Sequence, residues 1–213
     1  MLITVSGLDG AGKSTLIERL QTALEQRGRR VAVRHMNDDV GVYAGLRSLR
    51  NALVPRRNGR PHRPSTGAPS LVRRLRNAVI WNKAWRHVVY LVDLGVFLGY
   101  RWYLERARRQ ILIMDRYFYD TLVDVADGRH WRLLRLLARL APTPDLPVFL
   151  DTGPEEAYRR KAEYPLAYQQ ARWTAYQRVR PWVRSAVTLS NADLQTASAT
   201  LHRLVMDRIG PTT

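Results

Sequence analysis

Leu2 to Ser6 is a short β-rich run that passes straight into a glycine-rich turn, and from Lys13 the apolar positions Leu16, Ile17, Leu20, Ala23 and Leu24 recur at helical spacing. This pattern predicts a strand, a loop and a helix. Gly28 stands where a helix closes on a left-handed residue, and Val31 to Met36 reads as a second strand. The first 36 residues therefore form a βαβ unit with parallel strands and a right-handed crossover. Ile111 to Met114 and Leu146 to Leu150 are unbroken apolar runs ending at Asp115 and Asp151, as strands covered on both faces do. Ala186 to Leu189 is a last short strand.

Between the strands, Leu71 to Arg109 predicts one or two long helices broken near Gly95 and Gly99. Its aromatic residues Trp81, Trp85, Tyr90, Phe97, Tyr100, Trp102 and Tyr103 are expected mostly in the core. Trp131 to Leu140 is a basic amphipathic helix, Pro154 opens another with Glu155 and Glu156 at its positive end, and Leu166 to Val179 and Asp193 to Ile209 follow. Five strands alternating with helices predict a three-layer α/β fold with a mostly parallel sheet. A short helical pattern lies near Tyr43 to Leu53. Pro55 to Pro69, with four prolines, two glycines and four arginines, reads as a surface loop. One domain over residues 1–213 is expected, with a basic excursion near 55–69 and a short lid near 159–166.

Composition narrows the classes. With 213 residues, 46% hydrophobic and 25% charged, the chain is globular and not a disordered tail. It has no cysteine, which excludes disulfides, thiolate metal sites and a cysteine nucleophile. The N-terminus lacks a secretory pattern, and the charge-free stretch Leu94 to Tyr100 is too short to span a bilayer, so a cytoplasmic location without a membrane span is expected. Charge is the unusual feature: the chain carries +17, and only Lys13, Lys83 and Lys161 among its 35 basic residues are lysines. Residues 46 to 110 hold 15 basic residues against Asp93 and Glu105, a net +13. A polyanionic partner, an anionic membrane surface and a plain solvated face are all open for that segment.

Gly7-Leu8-Asp9-Gly10-Ala11-Gly12-Lys13-Ser14 matches G-x-x-x-x-G-K-[ST] and sits between strand and helix, where its mechanism requires it. Glycines let backbone N–H groups wrap a phosphate chain, the helix start adds a positive dipole, Lys13 adds a mobile charge, and Ser14 is placed to ligate Mg²⁺. The candidate nucleotide-binding set is therefore Gly7, Asp9, Gly10, Ala11, Gly12, Lys13, Ser14 and Thr15. The chain is short for a motor and lacks the N-K-x-D sequence of a guanine switch, which makes a P-loop NTPase fold used as a small kinase the economical reading. Asp115-Arg116-Tyr117 puts a carboxylate and a guanidinium at the carboxyl end of the sheet. Asp115 joins Ser14 as a candidate metal ligand, and Arg116 is suited to clamp an acceptor phosphate. Arg159, Arg160 and Lys161, with Arg172 beyond Pro165, offer positive charge from a lid.

Three segments in this order, GLDGAGKST at Gly7 to Thr15, ILIMDRY at Ile111 to Tyr117 and VFLDTGPEEAYRR at Val148 to Arg160, resemble the thymidylate kinase-like family of P-loop nucleoside monophosphate kinases. The resemblance covers most of the chain. It implies transfer of the ATP γ-phosphoryl group to dTMP with Mg²⁺, Asp9 near the acceptor sugar, Lys13 and Ser14 on phosphate and metal, Arg116 on the acceptor phosphate, and Arg159 and Arg160 near the lid. With glycine at position 10, the family supplies its transition-state arginine from the lid.

The departures fall on the acceptor side. The family's arginine-glutamate-proline-glycine segment is replaced by Arg34-His35-Met36-Asn37-Asp38-Asp39, and its serine and glutamine near the base by Asp120 and Val125; the lid around Ala162 to Pro165 is short. Three readings are therefore carried. The first is a kinase of a nucleoside monophosphate, foremost dTMP, using ATP and Mg²⁺. The second is a kinase of a sugar or lipid-linked hydroxyl, with Asp115, Asp120, Asp38 or Asp39 as base. The third is a nucleotide-regulated module gripping nucleic acid or a membrane face. A homodimer is compatible with each.

Overall fold

A strand buried over its whole length needs a paired strand on either edge. In the computed structural model, β1 (Leu2–Gly7) is buried at all six positions and pairs in parallel with β3 (Ile111–Asp115) on one side and β4 (Leu146–Asp151) on the other. The structure describes residues 1–36, 83–126 and 130–210. The strand β2 (Val31–His35) lies outside β3 and β5 (Val187–Ser190) outside β4, giving the parallel order β2-β3-β1-β4-β5. The expected α/β architecture and five-stranded sheet are present.

Helix α1 (Lys13–Glu25) buries Leu16, Ile17, Leu20 and Leu24, and Gly28 at φ 71° turns the chain back towards β2. Helix α2 (Lys83–Trp102) runs uninterrupted through Gly95 and Gly99 and passes into a π turn at Tyr103–Ala107. The expected break at the glycines is thus misplaced: each costs only about 1 kcal/mol in a helix interior, and packing outweighs it. Phe97 is fully buried, edge-on to Tyr117 and Phe118 at 5.4 Å each. Trp102 lies about 140° further round the helix and is 66% exposed, with Tyr103 also exposed, so the aromatic stripe is core on one side only.

Helix α3 (Phe118–Val125), which hydrophobic patterning did not announce, is started by a capping box in which Asp120 accepts from the Tyr117 N–H. The helices α4 (Trp131–Leu140), α5 (Pro154–Arg160), α6 (Leu166–Val179) and α7 (Leu194–Ile209) follow, the last capped by Asp193. The helical pattern near Tyr43 to Leu53, the loop at 55–69, Asp38, Asp39 and Trp81 lie outside the described residues, as do the side chains of Trp85, Tyr90 and Val125. Among the described residues no helix is long and apolar enough to cross a membrane.

Because all five strands run one way, their carboxyl ends gather the glycine-rich turn after Gly7, His35, Asp115, Asp151 and Asn191 at one end of the sheet. Their amino ends gather Met1, Arg30, Gln110 and Asp145 at the other.

Candidate active site

The glycines of the turn are where the backbone demands them. Gly10 and Gly12 have φ of 87° and 85°. A Cβ at Gly10 would be driven into the Ala157 carbonyl in the middle of α5, and one at Gly12 into the Asn191 amide. The turn is therefore clamped between α5 and the segment after β5. Asn191 is buried, and its Nδ2 donates to the Ala11 carbonyl at 2.5 Å. No motif pointed to it, because its partner is a main-chain oxygen 180 residues away.

Lys13, the first residue of α1, is buried and donates through Nζ to the Gly7 and Leu8 carbonyls at 3.0 and 2.8 Å, with Asp9 at 3.9 Å. Burial lowers its pKa and the neighbouring Arg116 charge lowers it further, against Asp120, Asp9 and Asp115. Ser14 and Thr15 at the helix start are exposed.

The loop Asp115-Arg116 supplies the facing charges. Arg116 adopts φ 66°, a conformation that costs a non-glycine residue about 1–2 kcal/mol, and it is held by an ion pair with Asp9. Burial would raise the Asp9 pKa, but Arg116, Lys13 and Arg172 together hold it below the ordinary carboxylate value. At Asp115 burial wins. Its pKa is raised despite Lys13, His35 and Arg116, and its Oδ1 is buried without a hydrogen bond. Asp9, Lys13, Asp115 and Arg116 are thus brought into one charged cluster.

The helix α6 completes that cluster. Gln169, Arg172, Tyr176 and Val179 form a buried stripe at helical spacing, polar where the search for apolar positions looks past it. Gln169 Nε2 donates to the Asp9 carbonyl at 3.3 Å. Arg172 pairs with Asp124 of α3 and donates to the Tyr168 hydroxyl at 3.0 Å. The Tyr176 hydroxyl donates to Asp120 Oδ1 at 2.5 Å and lies 3.2 Å from the Gly7 carbonyl, while Ser6 Oγ donates to Asp120 Oδ2 at 2.6 Å. Burial and the Asp120 carboxylate push the Tyr176 pKa well up. Asp120 is therefore a structural hub with its oxygens occupied, which removes it as the base of a hydroxyl kinase.

The lid residues are less assembled. Arg159 is 76% exposed and pairs with Glu156, and Lys161 pairs with Glu163 at 2.7 Å. Arg160 reaches both Glu156 at 2.9 Å and the Asn191 carbonyl at 3.1 Å, which links it to the phosphate turn through Asn191. Of the four basic candidates, only Arg172 lies inside the buried cluster.

A family profile described as methylmalonyl Co-A mutase-associated GTPase MeaB matches residues 1–45, the stretch containing the phosphate turn. A thymidylate kinase of Chlorobium luteolum is 30% identical over 177 residues, covering 79% of this chain and 72% of that protein. A probable thymidylate kinase of Archaeoglobus fulgidus is 28% identical over 75% of this chain and 68% of its own length. A thymidylate kinase of Xanthomonas campestris is 30% identical over 75% of this chain and 60% of its own.

Proposed function

The chain belongs to the thymidylate kinase family, and from that premise we propose that it transfers the γ-phosphoryl group of ATP to a nucleoside monophosphate, dTMP foremost. The observation that carries this reading is the Asp9–Arg116 pair beside Lys13: a guanidinium held ready on the acceptor side of a phosphate-binding turn. Arriving phosphates would draw Lys13 away from the Gly7 and Leu8 carbonyls, and the turn's N–H groups would take the β-phosphate. Arg116 would exchange Asp9 for the acceptor phosphate, freeing Asp9 for the acceptor sugar. Arg159 or Arg160 would swing in from the lid at 159–166 of a single kinase domain.

Ser14 and Asp115 would hold Mg²⁺. The exposed Ser14 hydroxyl and the unpartnered Asp115 Oδ1 fit an ion that takes one or two protein oxygens and keeps water and phosphate ligands. Among the described residues no larger acidic or histidine cluster competes for it. When bound, the ion would neutralise charge on the transferring phosphates. This reading places the chain in the cytoplasm.

The test is a transfer assay with ATP and Mg²⁺ over a panel of nucleoside monophosphates, read by product mass. We expect dTDP, and a KM for dTMP at least 10-fold higher in Arg116→Ala. The absence of diphosphate from every nucleoside monophosphate would overturn it. The raised Asp115, with one oxygen uncommitted, favours a hydroxyl acceptor as the second reading. Product from a sugar or polyprenol that survives Arg116→Ala but not Asp115→Asn would replace the first reading with it.

A further inference from the structure

The end of the sheet opposite the phosphate turn carries an open depression of about 760 Å³. It is lined by Arg29, Arg30, Arg101, Arg106, Arg109 and Arg208, with the Met1 ammonium, Glu105 and Asp145. Every one of these residues lies where a parallel α/β sheet brings strand starts and helix ends together, about 20 Å from the phosphate turn along the six residues of β1. Catalysis in such folds occupies the carboxyl end. The amino end thus has no share in the proposed transfer.

Six guanidiniums and an ammonium face two carboxylates there, a formal +5. Both carboxylates are already engaged: Glu105 by Met1 at 3.2 Å and Arg101 at 3.0 Å, Asp145 by Arg101 at 3.5 Å and the Leu2 N–H at 2.6 Å. Among the described residues, Arg29, Arg30, Arg106, Arg109 and Arg208 have no carboxylate in ion-pair range. Helix dipoles do not account for the excess. The ends of α1, α2 and α7 contribute roughly half a negative charge each, well short of five guanidiniums.

The aromatic residues next to the lining residues Arg101 and Arg106 in the chain narrow the ligand. Trp102, one turn before Arg106, is 66% exposed, and Tyr103 beside it holds the Arg108 guanidinium over its ring at 5.7 Å. Small-molecule pockets are mostly apolar with few charges, whereas a concave cationic surface with an exposed aromatic ring close by in the chain is the combination that holds single strands. We propose that this depression binds the phosphate backbone of a single-stranded nucleic acid, with Trp102 stacking on a base. The binding is separate from phosphoryl transfer and does not depend on it.

The test uses the full chain and a fluorescein-labelled dT12, followed by anisotropy with saturating MgATP present. Contacts to four or five phosphates predict a log–log salt slope of about −3, or roughly 60-fold weaker binding from 50 to 200 mM salt. Arg106→Glu with Arg109→Glu should weaken binding more than 10-fold, and Trp102→Ala several-fold, while ATP affinity and melting temperature stay unchanged. If the double variant folds poorly, Arg208→Glu alone should still lose several-fold. Full oligonucleotide affinity in folded charge-reversed protein overturns the proposal. So does equal competition by inorganic tripolyphosphate at matched phosphate concentration, which would make this a free-polyphosphate site. Preferential binding to phosphatidylserine vesicles over dT12 would assign the surface to a membrane and also overturn it.

Discussion

The two ends of the sheet use arginine under opposite constraints. At the carboxyl end Arg116 and Arg172 are largely buried, and each is matched to its own carboxylate, Asp9 and Asp124. At the amino end the arginines of the depression are mostly exposed and outnumber their partners. The difference follows from desolvation: a buried guanidinium without a counter-charge costs several kcal/mol, whereas water screens an exposed cluster enough to tolerate a surplus. One end is a preset arrangement of paired charges, which the proposed substrate would have to exchange into. The other is a field that a polyanion can enter.

The sharpest way to break this contrast is at Lys13. Lys13→Ala removes the mobile cation, and single-turnover transfer should fall by about 10³-fold, as when one preorganised transition-state donor is lost. Oligonucleotide binding at the amino end should not change. Comparable losses in both assays would mean that the ends are not separate.

Next in size is the Arg172–Asp124 pair. Asp124→Ala strands a buried guanidinium and should destabilise the protein by about 3 kcal/mol in urea denaturation. Replacing both partners with hydrophobes should recover most of that loss. A single variant with near wild-type stability would show that Arg172 is hydrated after all.

Asp115 provides a pH test. Burial raises its folded pKa above the unfolded one, so as pH rises the unfolded chain ionises first. Stability falls through the window between the ordinary carboxylate value and the raised one, then levels off. Asp115→Asn should therefore melt like wild type below that window and higher above it, while losing transfer. Asp9 has the opposite sign, because its depressed pKa contributes stability above the ordinary carboxylate range that is lost as acid protonates it. Melts from pH 3 to 7 on Asp115→Asn and Asp9→Asn should diverge in these two directions.

The smallest effect is expected at the amino end. Arg208→Ala should shift stability by less than about 0.5 kcal/mol, since an exposed arginine in excess of its partners has little folding energy to lose. A drop above 1 kcal/mol would show that the cluster is structural.

Several elements were legible because they rest on local chemistry. The phosphate turn was announced by its glycines: the two that G-x-x-x-x-G-K-S fixes, Gly7 and Gly12, both take positive φ, and Gly10 at one of its open positions does so too. Trp131–Leu140 and Leu166–Val179 were bounded to the residue by periodicity and proline. Others were hidden for identifiable reasons. Short helix α3 begins with aromatic residues that read equally as strand or core, and only the Asp120 capping box settles it. A break was expected near Gly95 and Gly99, where α2 runs on, because glycine is a weak penalty rather than a stop signal. In the site, Asp9, Lys13, Asp115 and Arg116 were named from motifs and Arg172 as a lid cation, whereas Gln169, Tyr176 and Asn191 act through partners far along the chain.

By itself the sequence determined the parallel α/β frame, the phosphate turn and the sign of the charge, since each depends on spacing, φ preference or composition over a few residues. Only the tertiary structure decided which arginines are paired within the site and which stand together at the far end. Pairing depends on where separate segments meet and how much water remains between them, and no local pattern of residues encodes either.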